Sequence, residues 1–115
     1  EEALFERVLR TSTEWGNSDQ LMYVVGATKA DMLERVRAIV PDAFLLVPGV
    51  GSQNGSLEDV ARFGLNSQCG LLVNASRSII YADNTEAFAN AAAAEAEALR
   101  RQMAEILIKN KLIEA

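Results

Sequence analysis

The stretch LLVPGVGSQNG, residues 45–55, joins a short apolar run to a glycine-rich segment and is the part of the sequence that decides the fold. The apolar run, which begins at Phe44 and ends at Val47, predicts a strand buried on both faces, as in a parallel sheet. The glycines that follow permit unusual backbone angles and a close approach of the backbone to a ligand: Gly49, Gly51 and Gly55. Ser56 then predicts the N-terminal cap of a short helix. The stretch therefore indicates a strand, a loop and a helix in succession.

Two similar units flank this one along the chain. Residues 21–25 form an apolar run, and the helix that follows is predicted to begin at Thr28, with Asp31 completing a T-x-x-D capping pattern. Residues 71–73 form a third apolar run, which predicts a third buried strand. Strands and helices are thus expected to alternate from residue 21 onwards.

Helices at the two ends complete the pattern, one at residues 1–15 and one from a capping box at Asp83 and Glu86 to about residue 112. The order α-β-α-β-α-β-α predicts a parallel α/β sheet with right-handed crossovers. Because three strands are few for such a sheet, the chain is expected to be part of a larger one. A (β/α)₈ barrel needs about 250 residues. We therefore predict that residues 1–115 are the C-terminal part of a single barrel domain, incomplete alone.

Composition excludes several classes of function. The chain has 115 residues, a formal net charge of −5, no His and one Cys. An acid excess argues against binding to nucleic acid or to an anionic membrane. The lack of His excludes a Ser-His-Asp triad and a Cys-His pair within these residues, and a single Cys excludes a Cys-rich zinc site. With no apolar run near about 18 residues, we expect no membrane span, and a cytoplasmic setting.

Two segments that follow predicted strands are candidates for a ligand site, because ligands of parallel α/β sheets bind beyond the carboxyl ends of the strands. The first is Pro48–Gly55, where Gln53 adds an amide donor. The second is Asn74–Tyr81, where Arg77 is the single charged residue between Gly64 and Ala82. A glycine-rich loop and a guanidinium together suit a phosphate. A plain βα turn is the alternative interpretation of the first segment, and a surface arginine or a structural ion pair is the alternative for Arg77.

Three motifs resemble those of a known family. The segments VVGAT (24–28), LLVPGVGSQNG (45–55) and LLVNASRSIIYA (71–82) are similar to the C-terminal part of the orotidine 5′-phosphate decarboxylases, most nearly to the longer bacterial branch. The resemblance covers roughly residues 21 to 110. It implies a (β/α)₈ barrel that forms homodimers and converts orotidine monophosphate to UMP and CO₂, without a metal or an organic cofactor.

The resemblance also implies roles for residues of the two segments. Gln53 and Arg77 would bind the 5′-phosphate, with help from the backbone around Ser76, and Gln53 would also reach across the pyrimidine. The substrate pocket would be walled by the segment just before Gln53: Pro48, Gly49, Val50 and Gly51. The chain departs from the pattern at Asn54, where many relatives have Gly, and at Ser76, where some have Gly.

A larger departure concerns the catalytic groups. The family's charge network, a D-x-K-x-x-D segment, is not in this sequence, and Lys29, Lys109 and Lys111 lie in no such motif. No catalytic residue is therefore predicted in this chain. The missing N-terminal half of the barrel is the expected partner, and the chain alone is not expected to decarboxylate anything.

Two other functions fit the residues. One is a different phosphate-binding barrel enzyme of sugar-phosphate metabolism, whose missing strands would lack the alternating Lys and Asp. The other is a small non-catalytic α/β module for a phosphorylated ligand. The module would be a stable monomer with a cooperative melt, whereas a barrel fragment would expose a large apolar edge.

Overall fold

The computed structural model describes residues 1–27, 29–51 and 56–115. Within these residues, helices and strands alternate in the order α1 (Leu4–Ser12), β1 (Tyr23–Val24), α2 (Met32–Ile39), β2 (Leu45–Val47), α3 (Leu57–Gly64), β3 (Leu71–Val73), α4 (Arg77–Ile80) and α5 (Phe88–Lys109). The predicted alternation is confirmed as far as β3, where two helices follow instead of the one predicted, and residues 71–73 form a strand with the predicted bounds.

The strands form a parallel sheet in the order β1-β2-β3. Beyond the assigned strands, the Ala27 amide donates to the Pro48 carbonyl at 3.2 Å, and the Asn74 amide donates to the Val47 carbonyl at 3.0 Å. These bonds hold the carboxyl ends of the strands side by side. The segments that follow β2 and β3 therefore leave the sheet at the same edge.

One face of the sheet carries the core. Leu45 and Val47 of β2 are fully buried, as are Leu33 of α2 and Val60 of α3. Because side chains alternate along a strand, these residues of β2 point to the face that the helices cover. The helix layer and one sheet face thus form the hydrophobic core.

The other face of the sheet is open in this chain. Val24, Leu46 and Leu72 lie opposite one another in the strand register, and 70%, 38% and 45% of their surfaces are exposed. The sequence predicts burial on both faces for a larger sheet of which this chain is one part, and within the described residues nothing covers this row. Apolar runs predict burial, but the helices of this chain cover only one side of the sheet.

The predicted T-x-x-D cap depends on Thr28 and so lies outside the described residues, whereas the predicted capping box at Asp83 and Glu86 is wrong. Helix α2 begins at Met32, and Asp31 makes no side-chain capping bond; Thr28 lies outside the described residues. Asp83 accepts a hydrogen bond from the Thr85 amide at 3.2 Å and closes a turn, so helix α5 begins only at Phe88. Short acidic side chains bond readily to the backbone two residues on, and that bond competes with a helix cap.

The cap predicted at Ser56 is confirmed. Its hydroxyl oxygen accepts a hydrogen bond from the Asp59 amide at 3.3 Å, and α3 ends at Gly64 as the sequence indicates. Helix α1 is shorter than predicted, and its apolar stripe is only partly covered, since Leu9 is buried whereas Leu4 and Val8 are exposed.

Candidate functional site

The segment after β2 has an unusual backbone. Gly49 and Gly51 have φ angles of +85° and +93°, a region that side chains other than glycine rarely adopt. Between them, Val50 is buried in the core, and Pro48 is half-buried. The buried Val50 side chain therefore anchors the segment in the core, and the two glycines turn the chain at the end of the strand. Gln53 lies outside the described residues, as do Ser52, Asn54 and Gly55.

The segment after β3 forms the short helix α4. The Asn74 side-chain amide donates to the Ser76 hydroxyl at 3.3 Å, and the Ser76 carbonyl accepts the Ile80 amide at 2.8 Å. Amide groups in the first turn of a helix have no acceptor within the helix. Ser76 and Arg77, where α4 begins, are both exposed. This end of α4 therefore offers amide donors and a guanidinium to a ligand.

The Arg77 side chain differs from most arginines of the chain. Among the described residues, its guanidinium takes part in no salt bridge and no hydrogen bond. It also stands in a stretch with no carboxylate between Asp59 and Asp83. A structural ion pair, one of the alternatives left open by the sequence, is not formed with any described residue.

The two segments approach each other at Gly51 and Ser78. A Cβ atom placed on Gly51 would lie 3.4 Å from the Ser78 Oγ atom, which is ordinary van der Waals distance. Both residues also line a cavity of about 340 Å³ between the segments, the start of α3 and helix α5. The sequence did not single out Ser78, because nothing in its neighbourhood indicates that Gly51 lies near it.

Residues 1–27, 29–51 and 56–115 contain no group of three or more acidic or cysteine side chains placed to hold a metal ion. None of the helices formed by them is both long enough and apolar enough to cross a membrane.

The parallel α/β sheet, its one open face and its strand-end segments define the chain as part of a (β/α)₈ barrel, the predicted fold class. Known structures agree: the Leishmania donovani UMP synthase structure matches 87% of this chain with a TM-score of 0.69 and 33% identity, over 22% of its own length. The structure of Leishmania donovani OMP decarboxylase matches 88% of this chain with a TM-score of 0.68 and 31% identity, over 39% of its length.

Comparison with curated sequences is more specific than the comparison of folds. The chain is 69% identical over 112 residues to orotidine 5′-phosphate decarboxylase of Porphyromonas gingivalis, which is 97% of this chain and 40% of that protein. It is 59% identical over 106 residues to the Bacteroides fragilis protein of the same name. No protein-family model matches the chain. The predicted resemblance to part of an orotidine 5′-phosphate decarboxylase is confirmed, and the chain spans about 40% of the length of these relatives.

Proposed function

We propose that this chain is the phosphate-binding, C-terminal portion of an orotidine 5′-phosphate decarboxylase, which converts orotidine monophosphate to UMP and CO₂ in pyrimidine biosynthesis. The observation that carries the proposal is the 69% identity over 97% of the chain to a protein of that name. The exposed guanidinium at the carboxyl end of β3 supports it, since barrel enzymes bind phosphate at this end of their last strands.

Arg77 is the principal phosphate ligand in this proposal. A guanidinium forms two parallel hydrogen bonds to a phosphate, and the exposed side chain is accessible to one. The amides at the start of α4, near Ser76, add neutral donors, and Gln53 is proposed as the third phosphate contact. The substrate pocket is bounded by the segment after β2: Pro48, Gly49, Val50 and Gly51. Because Val50 is buried, it would support this segment from the core.

The chemical step belongs to residues that this chain does not carry. The phosphate is remote from the bond that breaks, and binding energy from a remote group can be used to close and dehydrate the reacting centre. The Asp and Lys residues of the family motif are proposed to lie on the N-terminal half of the barrel. That half would cover the open row of Val24, Leu46 and Leu72. The complete enzyme is proposed to be a cytoplasmic homodimer that needs no metal or organic cofactor.

The test uses the complete enzyme, meaning this chain joined to the N-terminal half of its barrel. Decarboxylation of orotidine monophosphate is compared with that of orotidine, the nucleoside without phosphate. Arg77→Ala is expected to lower kcat/KM for the nucleotide about 100-fold, or about 2.7 kcal/mol, because a charge-assisted contact is lost. The nucleoside, which has no phosphate to bind, is expected to react at an unchanged rate.

Arg101→Ala is the matched control, since Arg101 is an exposed arginine of α5 paired with Glu97. Both substrates should react with it as with the parent. An unmodified enzyme that releases no CO₂ from orotidine monophosphate would overturn the proposed activity. Equal losses on nucleotide and nucleoside with Arg77→Ala would overturn the proposed role of Arg77.

A further inference from the structure

We infer that Asn74 is a positioning residue for phosphate binding and that it acts by holding the hydroxyl group of Ser76. In this inference the Ser76 side chain binds the phosphate beside Arg77. The inference rests on the proposed function, because it concerns the same phosphate site. It goes beyond the roles that the family resemblance implies, since those include only the backbone around Ser76 and give Asn74 no part.

Asn74 lies at the carboxyl end of β3, on the open face of the sheet. Strand β3 ends at Val73, but the Asn74 amide still donates to the Val47 carbonyl at 3.0 Å, so the pairing with β2 extends to this residue. Because side chains alternate along a strand, Asn74 shares the face of the exposed Leu72. Asn74 is itself exposed. Its polar side chain therefore stands at the edge of the sheet where ligands of such folds bind.

The Asn74 side chain is hydrogen-bonded to Ser76. The Asn74 Nδ2 atom donates to the Ser76 Oγ atom at 3.3 Å. A hydroxyl group that accepts a hydrogen bond still has its own hydrogen to donate. None of the described residues accepts that hydrogen. Hydrogen bonds in a chain strengthen one another, so the bond from Asn74 makes the Ser76 hydroxyl a better donor to a phosphate oxygen.

The backbone that carries this hydroxyl group is held independently of Asn74. The Ser76 carbonyl accepts the Ile80 amide at 2.8 Å, and helix α4 packs along helix α5. Arg77 follows directly, and both Ser76 and Arg77 are exposed. The segment after β3 thus presents a charged donor and a neutral donor on adjacent residues. The neutral contact is expected to contribute less than the charged one.

The experiment measures kcat and KM of the complete enzyme with orotidine monophosphate and with orotidine. Ser76→Ala is expected to lower kcat/KM for the nucleotide about tenfold, with the nucleoside within about twofold of the parent, because one neutral hydrogen bond to the phosphate is lost. Ser76→Thr, which keeps a hydroxyl group, should retain most of the activity. Asn74→Ala is expected to lower kcat/KM for the nucleotide about threefold, because the hydroxyl group remains but is no longer held.

Two variants at exposed sites serve as matched controls. Ser67→Ala makes the serine change in a turn, and Asn90→Ala makes the asparagine change on α5. Both should react with nucleotide and nucleoside as the parent does. If Asn74→Ala does not fold, Asn74→Leu, which is similar in size but has no donor, is carried through the same measurements.

A double variant distinguishes positioning from direct binding by Asn74. If Asn74 acts through Ser76, then Asn74→Ala added to Ser76→Ala lowers kcat/KM for the nucleotide no further, because coupled residues are not additive. Full additivity would overturn the inference, as would equal losses on nucleotide and nucleoside or an Asn74→Ala enzyme as active as the parent. A phosphate-specific loss for Arg77→Ala, with Ser76→Ala and Asn74→Ala unaffected, would refute this inference and leave the proposed function intact.

Discussion

Two arginines at opposite ends of the same sheet are in contrasting environments. At the amino end, the guanidinium of Arg37 donates to the carbonyl of Gly64 at 2.6 Å, of Ala43 at 2.6 Å and of Gly70 at 2.9 Å. At the carboxyl end, the guanidinium of Arg77 is exposed and has no such acceptor among the described residues. The first arginine has used its donors within the fold, whereas the second can offer them to a ligand.

The difference follows a general feature of (β/α)₈ barrels, in which residues at the carboxyl ends of the strands bind ligands and residues at the amino ends stabilise the fold. Arg37 joins the end of α2 to the end of α3 and to the residues just before β2 and β3. Burial lowers the pKa of Arg37, and the nearby Asp42 carboxylate opposes that shift. The carbonyl acceptors offset the cost of removing the charge from water, because hydrogen bonds to a charged group are the stronger ones.

The largest effect on stability is expected from Arg37→Met in the complete enzyme. The substitution leaves several carbonyls without donors and should lower the free energy of unfolding by about 3 kcal/mol, measured by urea denaturation. Under conditions in which the variant is folded, its kcat/KM for orotidine monophosphate should equal that of the parent. Arg77→Ala should show the reverse pattern, with stability within about 0.5 kcal/mol of the parent.

Arg101→Met controls for the loss of an arginine at an exposed site and should change stability little. If Arg37→Met keeps its stability but loses activity, the contrast between the two ends of the sheet fails.

A smaller effect is expected from a pair of glycines at the two ends. Gly70 has a φ of +68°, and a Cβ atom there would lie 2.5 Å from the Arg37 Nη2 atom. Gly70→Ala should therefore lower the free energy of unfolding by about 2 kcal/mol, read from the same urea curves, because it combines backbone strain with displacement of Arg37. Gly51→Ala at the carboxyl end should act mainly on KM.

Gly16→Ala is the control, because the three atoms nearest the added Cβ atom all belong to the exposed Gln20 side chain, at 2.9 to 3.5 Å. Its unfolding midpoint should stay near that of the parent. A Gly70→Ala protein as stable as Gly16→Ala would mean that the amino end tolerates distortion of the Arg37 contacts.

The sequence predicts those parts of the fold whose causes are local. The Ser56 cap lies three residues from the amide it accepts, and the strand at 71–73 is a simple apolar run. The start of α5 was placed too early because the sequence does not show which of two local bonds a short acidic side chain makes. The Asp83 carboxylate accepts a hydrogen bond from the Thr85 amide and closes a turn there instead of capping a helix.

Features that depend on distant residues were beyond the sequence. The acceptors of Arg37 at Gly64 and Gly70 are 27 and 33 residues away along the chain, so no spacing pattern indicates them. The proximity of Gly51 and Ser78 likewise involves two separate βα units. The candidate phosphate site was accessible to prediction because Arg77 is a single charge after a predicted strand. The proximity of Gly51 and Ser78 was not, because the approach of one segment to another has no local signature.

The smallest effect concerns a third arginine, Arg35, which lies two residues from Arg37 but is exposed. It pairs with Glu6 of α1 and lies over the Phe5 ring, 5.2 Å from its centroid. The Ala3 amide, followed by Arg35, lowers the pKa of Glu6 below its ordinary value. A lowered folded-state pKa means that the stabilisation is present above the unfolded-state pKa and is lost as the pH falls through the folded-state value.

Glu6→Gln should therefore be less stable than the parent near neutral pH, and the difference should shrink as the pH is lowered below about 4.5. Urea denaturation of the complete enzyme at several pH values measures this, with Glu14→Gln as the control for an exposed carboxylate just beyond α1. Added salt should reduce the Glu6 effect, because the partners are near the surface, but should leave the Arg37→Met effect in place. An Arg37→Met effect that fades with salt in the same way would place Arg37 with the surface arginines. The comparison would then rest on Arg77 alone.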